Sequence, residues 1–272
     1  MSSIRSVWRF SSWMLFAWAM PGIATAAEPA ASATQPKVRV AIYADVGGNG
    51  AGPTNCERCL PQDIGFTTRR VTAEEIQADV LKDFDVLIVP GGSGSKQAGE
   101  LKPEGREKIR TFVRGGGGYV GICAGSYLAS ADYTWSLGLL DAKVLDRKHW
   151  NRGNGDVQIR LSPAGRELLD VPNDSVKIVY WQGPLLAPAG NDEIPDFEPL
   201  ATYETEIAKN GAPPGVMVGT VAAARGTFGD GRVLCFSPHP EKTEGLDKFI
   251  TRAVRWVAET ETSTATPAAV GR

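Results

Sequence analysis

One cysteine and a distant histidine are the residues of this sequence best suited to covalent chemistry. Cys123 lies within Tyr119-Val-Gly-Ile-Cys-Ala-Gly-Ser126, where an apolar run gives way to small residues. This pattern is typical of a nucleophile elbow, a sharp turn from a strand into a helix whose neighbours must be small. Far downstream, Ser237-Pro-His-Pro-Glu241 supplies His239 as a general base and Glu241 as an acid that orients it. Together these residues predict acyl transfer through a thiol nucleophile.

The same three residues also have structural interpretations. Free cysteine is among the most buried residue types, so Cys123 could be a core residue. His239 could satisfy its ring nitrogens at a strand end, and Glu241 could be a solvated surface acid. Positions 239 and 241 face the same side of an extended segment, which favours a contact between the two side chains.

The elements around the elbow alternate between strands and helices. Strands are predicted at 38–44, 66–71 and 85–90 and a helix at 103–114, before the strand that leads into the elbow. Such alternation is typical of right-handed βαβ units. Four glycines at 115–118 end the predicted helix.

The pattern changes after residue 140. Predicted strands at 216–223 and 232–237 flank Gly229-Asp-Gly231, a hairpin signal, and an amphipathic helix is predicted at 246–258. We therefore expect an α/β fold with a doubly wound, mostly parallel sheet and a mixed or antiparallel C-terminal part.

The ends of the chain differ in composition from its centre. Arg5 and Arg9 precede an apolar stretch at 13–23, and Ala24-Thr-Ala26 offers a cleavage site, so residues 1–26 predict a secretory signal peptide. An uncleaved anchor is the alternative. A linker is expected at 27–36, one domain at 37–259 and a disordered tail at 260–272. These features predict a periplasmic or secreted protein with no membrane contact after cleavage.

Charge and cysteine content narrow the function classes. The net charge is −2 and no basic stripe is present, which argues against a nucleic-acid partner. Cys56 and Cys59 form a C-x-x-C pair, for which export favours a local disulfide and leaves a redox-active pair as the alternative. Zinc is disfavoured because no second C-x-x-C exists and the two histidines lie far apart. We predict no metal and no cofactor.

Several motifs in this order resemble a known family. They are Val89-Pro-Gly-Gly92, Gly117-Gly-Tyr-Val-Gly-Ile-Cys-Ala-Gly125, Tyr180-Trp-Gln-Gly-Pro184, and the run from Gly229-Asp-Gly-Arg-Val-Leu to Ser-Pro-His-Pro-Glu241. The sequence resembles the class I glutamine amidotransferase-like superfamily and, within it, the biotin-protein ligase N-terminal domain family, which has a flavodoxin-like fold. The resemblance covers about residues 37 to 258.

The resemblance implies roles for individual residues. Cys123 matches the nucleophile, His239 the general base and Glu241 the acid that orients it. Gly92 and Ala124 match the positions whose N–H groups form the oxyanion hole. Gly91 and Gly92 would let the backbone approach the reacting carbonyl closely, although they could also only turn the chain.

Two departures from the family pattern bear on the substrate. Tyr127 stands where glutamine-hydrolysing members have a glutamine, which disfavours free glutamine as the substrate. Ala124 stands where related cysteine peptidases have a histidine, which disfavours peptidase activity. Arg152 and Gln182 lie in loops that mix aromatic and polar residues, and both are candidates for substrate contacts.

These observations predict an exported hydrolase that acts on an amide or related acyl bond of a small-molecule substrate. The alternative is a non-catalytic ligand-binding or scaffold domain that keeps the fold without turnover. A third, weaker possibility is thiol redox chemistry through Cys56 and Cys59.

Overall fold

The computed structural model describes residues 37–48 and 50–259. The predicted signal peptide (1–26), linker (27–36) and disordered tail (260–272) lie outside the described residues. The strands of the sheet are β1 (Val38–Tyr43), β2 (Phe66–Val71), β3 (Val86–Val89), β4 (Gly118–Ile122), β5 (Ala142–Leu145), β6 (Asn154–Leu161), β7 (Ser175–Trp181), β8 (Leu185–Pro188), β9 (Glu198–Tyr203), β10 (Val221–Phe228) and β11 (Gly231–Phe236). The helices are α1 (Ala51–Arg58), α2 (Ala73–Gln77), α3 (Gly94–Arg114), α4 (Ala124–Ala129), α5 (Pro163–Leu169) and α6 (Asp247–Ala258).

The first half of the sheet is parallel. Its strands run in the order β2-β1-β3-β4-β11, and each neighbouring pair is parallel. Short strands buried on both faces explain the near-continuous apolar runs in the sequence. The predicted α/β, doubly wound fold is confirmed.

The second half of the sheet is antiparallel. β10 and β11 form the predicted hairpin, which pairs Phe228 with Gly231 across the turn. The order continues through β9, β6 and β7, while β8 pairs with both β10 and β5. Strand β10 begins at Val221 and not at residue 216, because Thr220 turns back to donate both its N–H and its hydroxyl to the carbonyl of Met217. The expectation of an antiparallel C-terminal part is confirmed.

Helices cover both faces of the parallel strands. Val40 and Ile42 of β1 join a buried cluster that includes residues of α1 and α6. Ala41 and Tyr43, the alternate residues, join a second cluster with residues of α2 and α3. Because side chains alternate across a strand, β1 contributes to two cores and is buried between them.

Helix α6 agrees with the predicted helix, whereas α3 is longer than predicted. The residues of α6 expected to face inward are all buried, namely Phe249, Ile250, Ala253, Val254 and Val257. Helix α3 begins at Gly94, nine residues before the predicted start, and contains a break at Lys102, whose φ is 55°. Lys102 precedes Pro103, and a residue before proline is disfavoured in helical conformation, so two helical segments meet there. No helix within the described ranges is long and apolar enough to cross a membrane.

Candidate active site

Three neighbouring parallel strands bring the predicted site residues to one edge of the sheet. Strands β3, β4 and β11 lie side by side. Gly91 follows β3 after one proline, Cys123 follows β4 directly, and His239 follows β11 by three residues. The carboxyl ends of parallel strands meet at the same edge of an open α/β sheet, where ligands bind.

Cys123 occupies a strained turn between β4 and α4. Its φ is 52° and its ψ is −99°, a conformation that L-residues rarely adopt. Its N–H donates to the carbonyl of Phe236 in β11 at 2.8 Å, which holds the turn against the neighbouring strand. A Cβ atom on Gly125 would lie 2.0 Å from the carbonyl oxygen of Val89, so no larger residue fits there. The backbone therefore has the geometry predicted for a nucleophile elbow.

The side chains of Cys123 and His239 meet above Gly91. A Cβ atom on Gly91 would lie 2.7 Å from Cε1 of His239 and 3.7 Å from Cβ of Cys123. Nε2 of His239 has no hydrogen-bond partner among the described residues. The thiol of Cys123, which is 6% exposed, donates to the carbonyl of Trp181 at 3.3 Å. The cysteine and histidine predicted to act together are thus adjacent, with one ring nitrogen free.

Glu241 contacts the opposite side of the His239 ring. Its Oε1 lies 2.7 Å from Nδ1 of His239, and its side chain is fully buried. A carboxylate only accepts hydrogen bonds, so Nδ1 carries the proton of this bond. Arg58 donates to the main-chain carbonyl of Glu241 at 2.8 Å, which secures the turn that holds the acid.

The backbone of His239 is fastened to β7. Its N–H donates to the carbonyl of Val179 at 2.8 Å, and its own carbonyl accepts the hydroxyl hydrogen of Thr243. The Thr243 hydroxyl oxygen in turn accepts from the N–H of Val179. These bonds connect the antiparallel half of the sheet to the site and fix the height of the histidine above the strands.

The surroundings of His239 favour its protonated form. Burial acts to lower the pKa, but the interaction with Cys123 and then the hydrogen bond and charge of Glu241 outweigh it and raise the pKa of His239 to about 9. The raised pKa therefore favours the imidazolium form of His239, with a proton on both ring nitrogens, near neutral pH.

The proposed oxyanion donors are unoccupied by other acceptors. The N–H groups of Gly92 and Ala124 make no hydrogen bond to any described residue. Gly92 lines the same cavity as Cys123 and His239. The N–H of Gly92 is therefore available to a reacting carbonyl oxygen in the cavity, whereas Ala124 is buried and is not among the lining residues.

A cavity of ≈ 560 Å³ opens over Cys123 and His239. Tyr127 and Gln182 line it, and the Tyr127 hydroxyl donates to the carbonyl of Gln182 at 3.2 Å. The Gln182 amide donates to the side chain of Asn151. Tyr127 therefore closes one wall of the cavity.

Arg152 occupies a different place from the one expected of a substrate contact. It is not among the lining residues, and it is only 1% exposed. Its guanidinium forms an ion pair with Asp146 at 2.6 Å, and Asp146 also contacts Nδ1 of His149 at 2.6 Å. Arg152 thus stabilises the loop beside the cavity.

The Cys56–Cys59 pair forms no disulfide in this structure. Both thiols are free and buried. Helix α1 places Cys56 in the core, and Cys59, directly after the helix, donates to Asp247 at 3.6 Å. Neither residue is among those that line the cavity. The structure therefore has free thiols where the sequence favoured a disulfide, and the redox-active pair stays a prediction.

The sequence interpretation missed most of the outer wall of the cavity. Most of the additional lining side chains are aromatic or cationic, namely Tyr133, Trp135, Arg147, Trp150, Trp181 and Lys242, and Ser93, Gly94 and Ser95 complete the lining. They come from loops distant in sequence. Three of them had a local signal: Trp150 and Trp181 lie beside the candidates Arg152 and Gln182, and Lys242 directly follows Glu241. Within the part of the chain that the structure describes, no group of three or more histidine, cysteine or acidic residues could hold a metal ion.

Residues 38–151 match the family model described as biotin-protein ligase, N terminal. The resemblance read from the motifs is confirmed over these residues. The match includes Cys123, whereas His239 and Glu241 lie beyond it. No curated protein sequence matches the chain at a significant level.

Solved structures share the fold at low sequence identity. PurLQS from Thermotoga maritima is 17% identical, with a TM-score of 0.59 over 82% of this chain and 100% of that chain. A ThuA-like protein from Parabacteroides merdae is 11% identical, with a TM-score of 0.56 over 82% of this chain and 90% of that one. A ThuA-like protein from Bacteroides uniformis is 17% identical, with a TM-score of 0.55 over 87% and 98%. The chain thus shares its fold with PurLQS and with these two ThuA-like proteins.

Proposed function

We propose that this protein is a cysteine-dependent hydrolase of an amide or related acyl bond in a small substrate. The observation that carries the proposal is the meeting of Cys123 and His239 above Gly91, at the floor of a cavity that both residues line. A thiol, an adjacent imidazole and a carboxylate that orients it are the groups that acyl transfer needs.

The reaction begins with attack of the Cys123 sulfur on the substrate carbonyl carbon. Before the attack, the S–H proton of Cys123 moves to Nε2 of His239, so that the attacking group is a thiolate beside an imidazolium. As the C–S bond forms, the carbonyl oxygen becomes negative and accepts hydrogen bonds from the N–H groups of Gly92 and Ala124. His239 then gives the proton on Nε2 to the leaving nitrogen, the C–N bond breaks, and an acyl thioester remains.

Water completes the cycle. Neutral His239 takes a proton from a water molecule through Nε2, and the resulting hydroxide attacks the thioester carbon. The C–S bond breaks, the acid product leaves, and the thiolate–imidazolium state is restored. Glu241 acts as a positioning residue, because its bond to Nδ1 directs Nε2 toward the reacting atoms.

Tyr127, which forms one wall of the cavity, argues against free glutamine as the substrate. Its side chain occupies the position of a glutamine in glutamine-hydrolysing relatives, and its hydroxyl is held by Gln182. We therefore assign the hydrolysed bond to an amide other than that of free glutamine.

The test is a panel of primary and secondary amides, with amine release measured for the parent protein and for C123A. The proposal expects hydrolysis that C123A lacks entirely, and an acyl adduct on the Cys123 peptide in acid-quenched samples by mass spectrometry. Hydrolysis that survives in C123A, or a panel in which the parent cleaves nothing, would refute it.

A non-catalytic ligand-binding role is the second candidate. It is favoured by the burial of Cys123, which is 6% exposed, and by the hydrogen bond of its thiol to the carbonyl of Trp181, since Nε2 of the adjacent His239 has no hydrogen-bond partner among the described residues. This role expects a ligand that raises the melting temperature equally in the parent and C123A, with no hydrolysis by either. A rise in melting temperature accompanied by cleavage in the parent alone would exclude it.

We further propose that the protein is exported. Support comes from the basic start, apolar stretch and small-residue cleavage site within residues 1–26. Fractionation of the expressing cells should recover a mature form beginning at Ala27 outside the cytoplasm. Recovery of an uncleaved form in the cytoplasm would contradict export.

A further inference from the structure

The cavity over Cys123 carries positive charge. Arg147 and Lys242 both line it, and its lining includes no aspartate or glutamate among the described residues. The two cations differ in their pairing. Arg147 forms an ion pair with Asp132 at 3.3 Å and lies over the ring of Tyr133, 4.0 Å from its centroid.

Lys242 has no such partner. Its ammonium group makes no ion pair with any described residue and lies 5.0 Å from the ring centroid of Trp181. It belongs to the turn 240–242 that also contains Glu241, and it lies three residues after His239. The unpaired cation is therefore attached to the same short segment as the proposed acid–base pair.

Aromatic rings form a large part of the cavity lining, which also contains Ser93, Ser95 and Gln182. Tyr133 and Trp135 stack with centroids 4.5 Å apart and planes inclined by 20°. Trp150 and Trp181 are 54% and 47% exposed, although large aromatic side chains are usually covered. Exposed aromatic surface at a concave site is typical of a place where a ligand covers it. These rings favour a ligand with a flat apolar part.

The size of the cavity agrees with a small ligand. Its volume of ≈ 560 Å³ lies within the range of about 300–1,000 Å³ that small-molecule sites occupy. An unpaired ammonium group beside an aromatic wall matches a molecule with a negative group next to a planar one. A carboxylate carries the single charge that one lysine can neutralise.

We propose that the substrate is an aryl-substituted amide that carries a carboxylate, and that Lys242 binds this carboxylate while the tryptophans cover the aryl group. This inference rests on the proposed hydrolase function, because it assigns the substrate class of the same site. It makes Lys242 a specificity-determining residue.

Binding is measured by calorimetry on the mature protein carrying C123A, which removes turnover. Three probes separate the contributions: hippurate has the aryl amide and the carboxylate, N-benzoylglycinamide lacks the charge, and N-acetylglycine lacks the ring. We expect hippurate to bind at least about tenfold more tightly than either analogue, and raised salt to weaken hippurate alone.

Variants at Lys242 test whether this residue causes the preference for the negatively charged ligand. Lys242→Met keeps an apolar stem over Trp181 and should bring the hippurate to benzoylglycinamide affinity ratio to about one, while Lys242→Arg should keep the preference. Lys143, which is exposed on β5 and absent from the cavity lining, provides the matched control Lys143→Met, which should bind like the parent.

Equal affinity for hippurate and its neutral analogue, a preference unchanged in Lys242→Met, or no binding of hippurate would each overturn this inference. The outcome is separate from that of the hydrolase proposal. Selective binding without Cys123-dependent cleavage would refute only the hydrolase, and Cys123-dependent cleavage without charge preference would refute only the substrate class.

Discussion

Replacing Glu241 with glutamine tests how a buried acid controls the state of His239. The substitution keeps the size of the side chain and removes its charge, at a contact of 2.7 Å between Oε1 and Nδ1. A hydrogen bond to a charged group contributes about 1.5–3 kcal/mol, and one pKa unit corresponds to about 1.4 kcal/mol. We therefore expect the pKa of His239 to fall from about 9 in the parent to roughly 7–8 in E241Q.

The assay is an NMR titration of the imidazole signals. The chain contains two histidines, so a His149→Gln variant assigns the spectrum. Since the interaction with Cys123 raises the pKa of His239 more than Glu241 does, C123A should lower it further than E241Q. The control is Glu244→Gln, at an exposed position in the following loop. A pKa of His239 unchanged in E241Q, or lowered equally in E244Q, would refute this reasoning.

The remaining predictions concern the elbow, pH and the thiols. Gly125→Ala would place a Cβ 2.0 Å from a carbonyl oxygen of β3 and should destabilise the fold by about 1–3 kcal/mol or more in urea denaturation, whereas Gly99→Ala, with no atom within 4 Å, should not. The pKa of His239 is about 9 in the folded protein against an ordinary value of 6.5, so its contribution to stability is complete below pH 6.5 and is lost as pH rises through 9. The unfolding free energy should fall over that pH window in the parent and not in His239→Gln. The same pH dependence in both proteins would contradict the raised pKa of His239. Protein denatured without reductant should react with a thiol reagent at all four cysteines, whereas a count of two would show that Cys56 and Cys59 are joined.

Local patterns in the sequence predicted the elements that form the site. The apolar runs gave the strands of the parallel half, and β2 matches its predicted range, 66–71. The glycines around Cys123 were informative because close backbone approach at Gly125 excludes any larger residue. The contact itself is with Val89, which is distant in sequence, but its effect is a requirement for small residues beside Cys123, and that requirement is visible in a short segment.

Features that depend on distant contacts were not predictable in the same way. Helix α1 was not predicted, because it contains Pro53 and follows several glycines. Proline is nevertheless compatible with a first helical turn, and Cys56 packs in the core. The burial of Arg152 depends on Asp146, whose role the sequence pattern does not reveal. The aromatic wall of the cavity comes from separate loops, and Trp181 meets Lys242 only after folding.

Alkylation of the native protein tests the central claim most directly, namely that His239 activates Cys123. Iodoacetamide is applied at about pH 6–7, where an ordinary thiol reacts slowly, and each cysteine peptide is quantified by mass spectrometry. Cys56, Cys59 and Cys235 serve as internal references, because burial raises the pKa of all three, to about 12 for Cys59 and Cys235. In the parent protein we expect Cys123 to be the only cysteine modified. In His239→Gln we expect Cys123 to be modified at least about tenfold more slowly than in the parent. Modification of Cys123 no faster than that of the buried thiols, or at a rate independent of His239, would contradict the account.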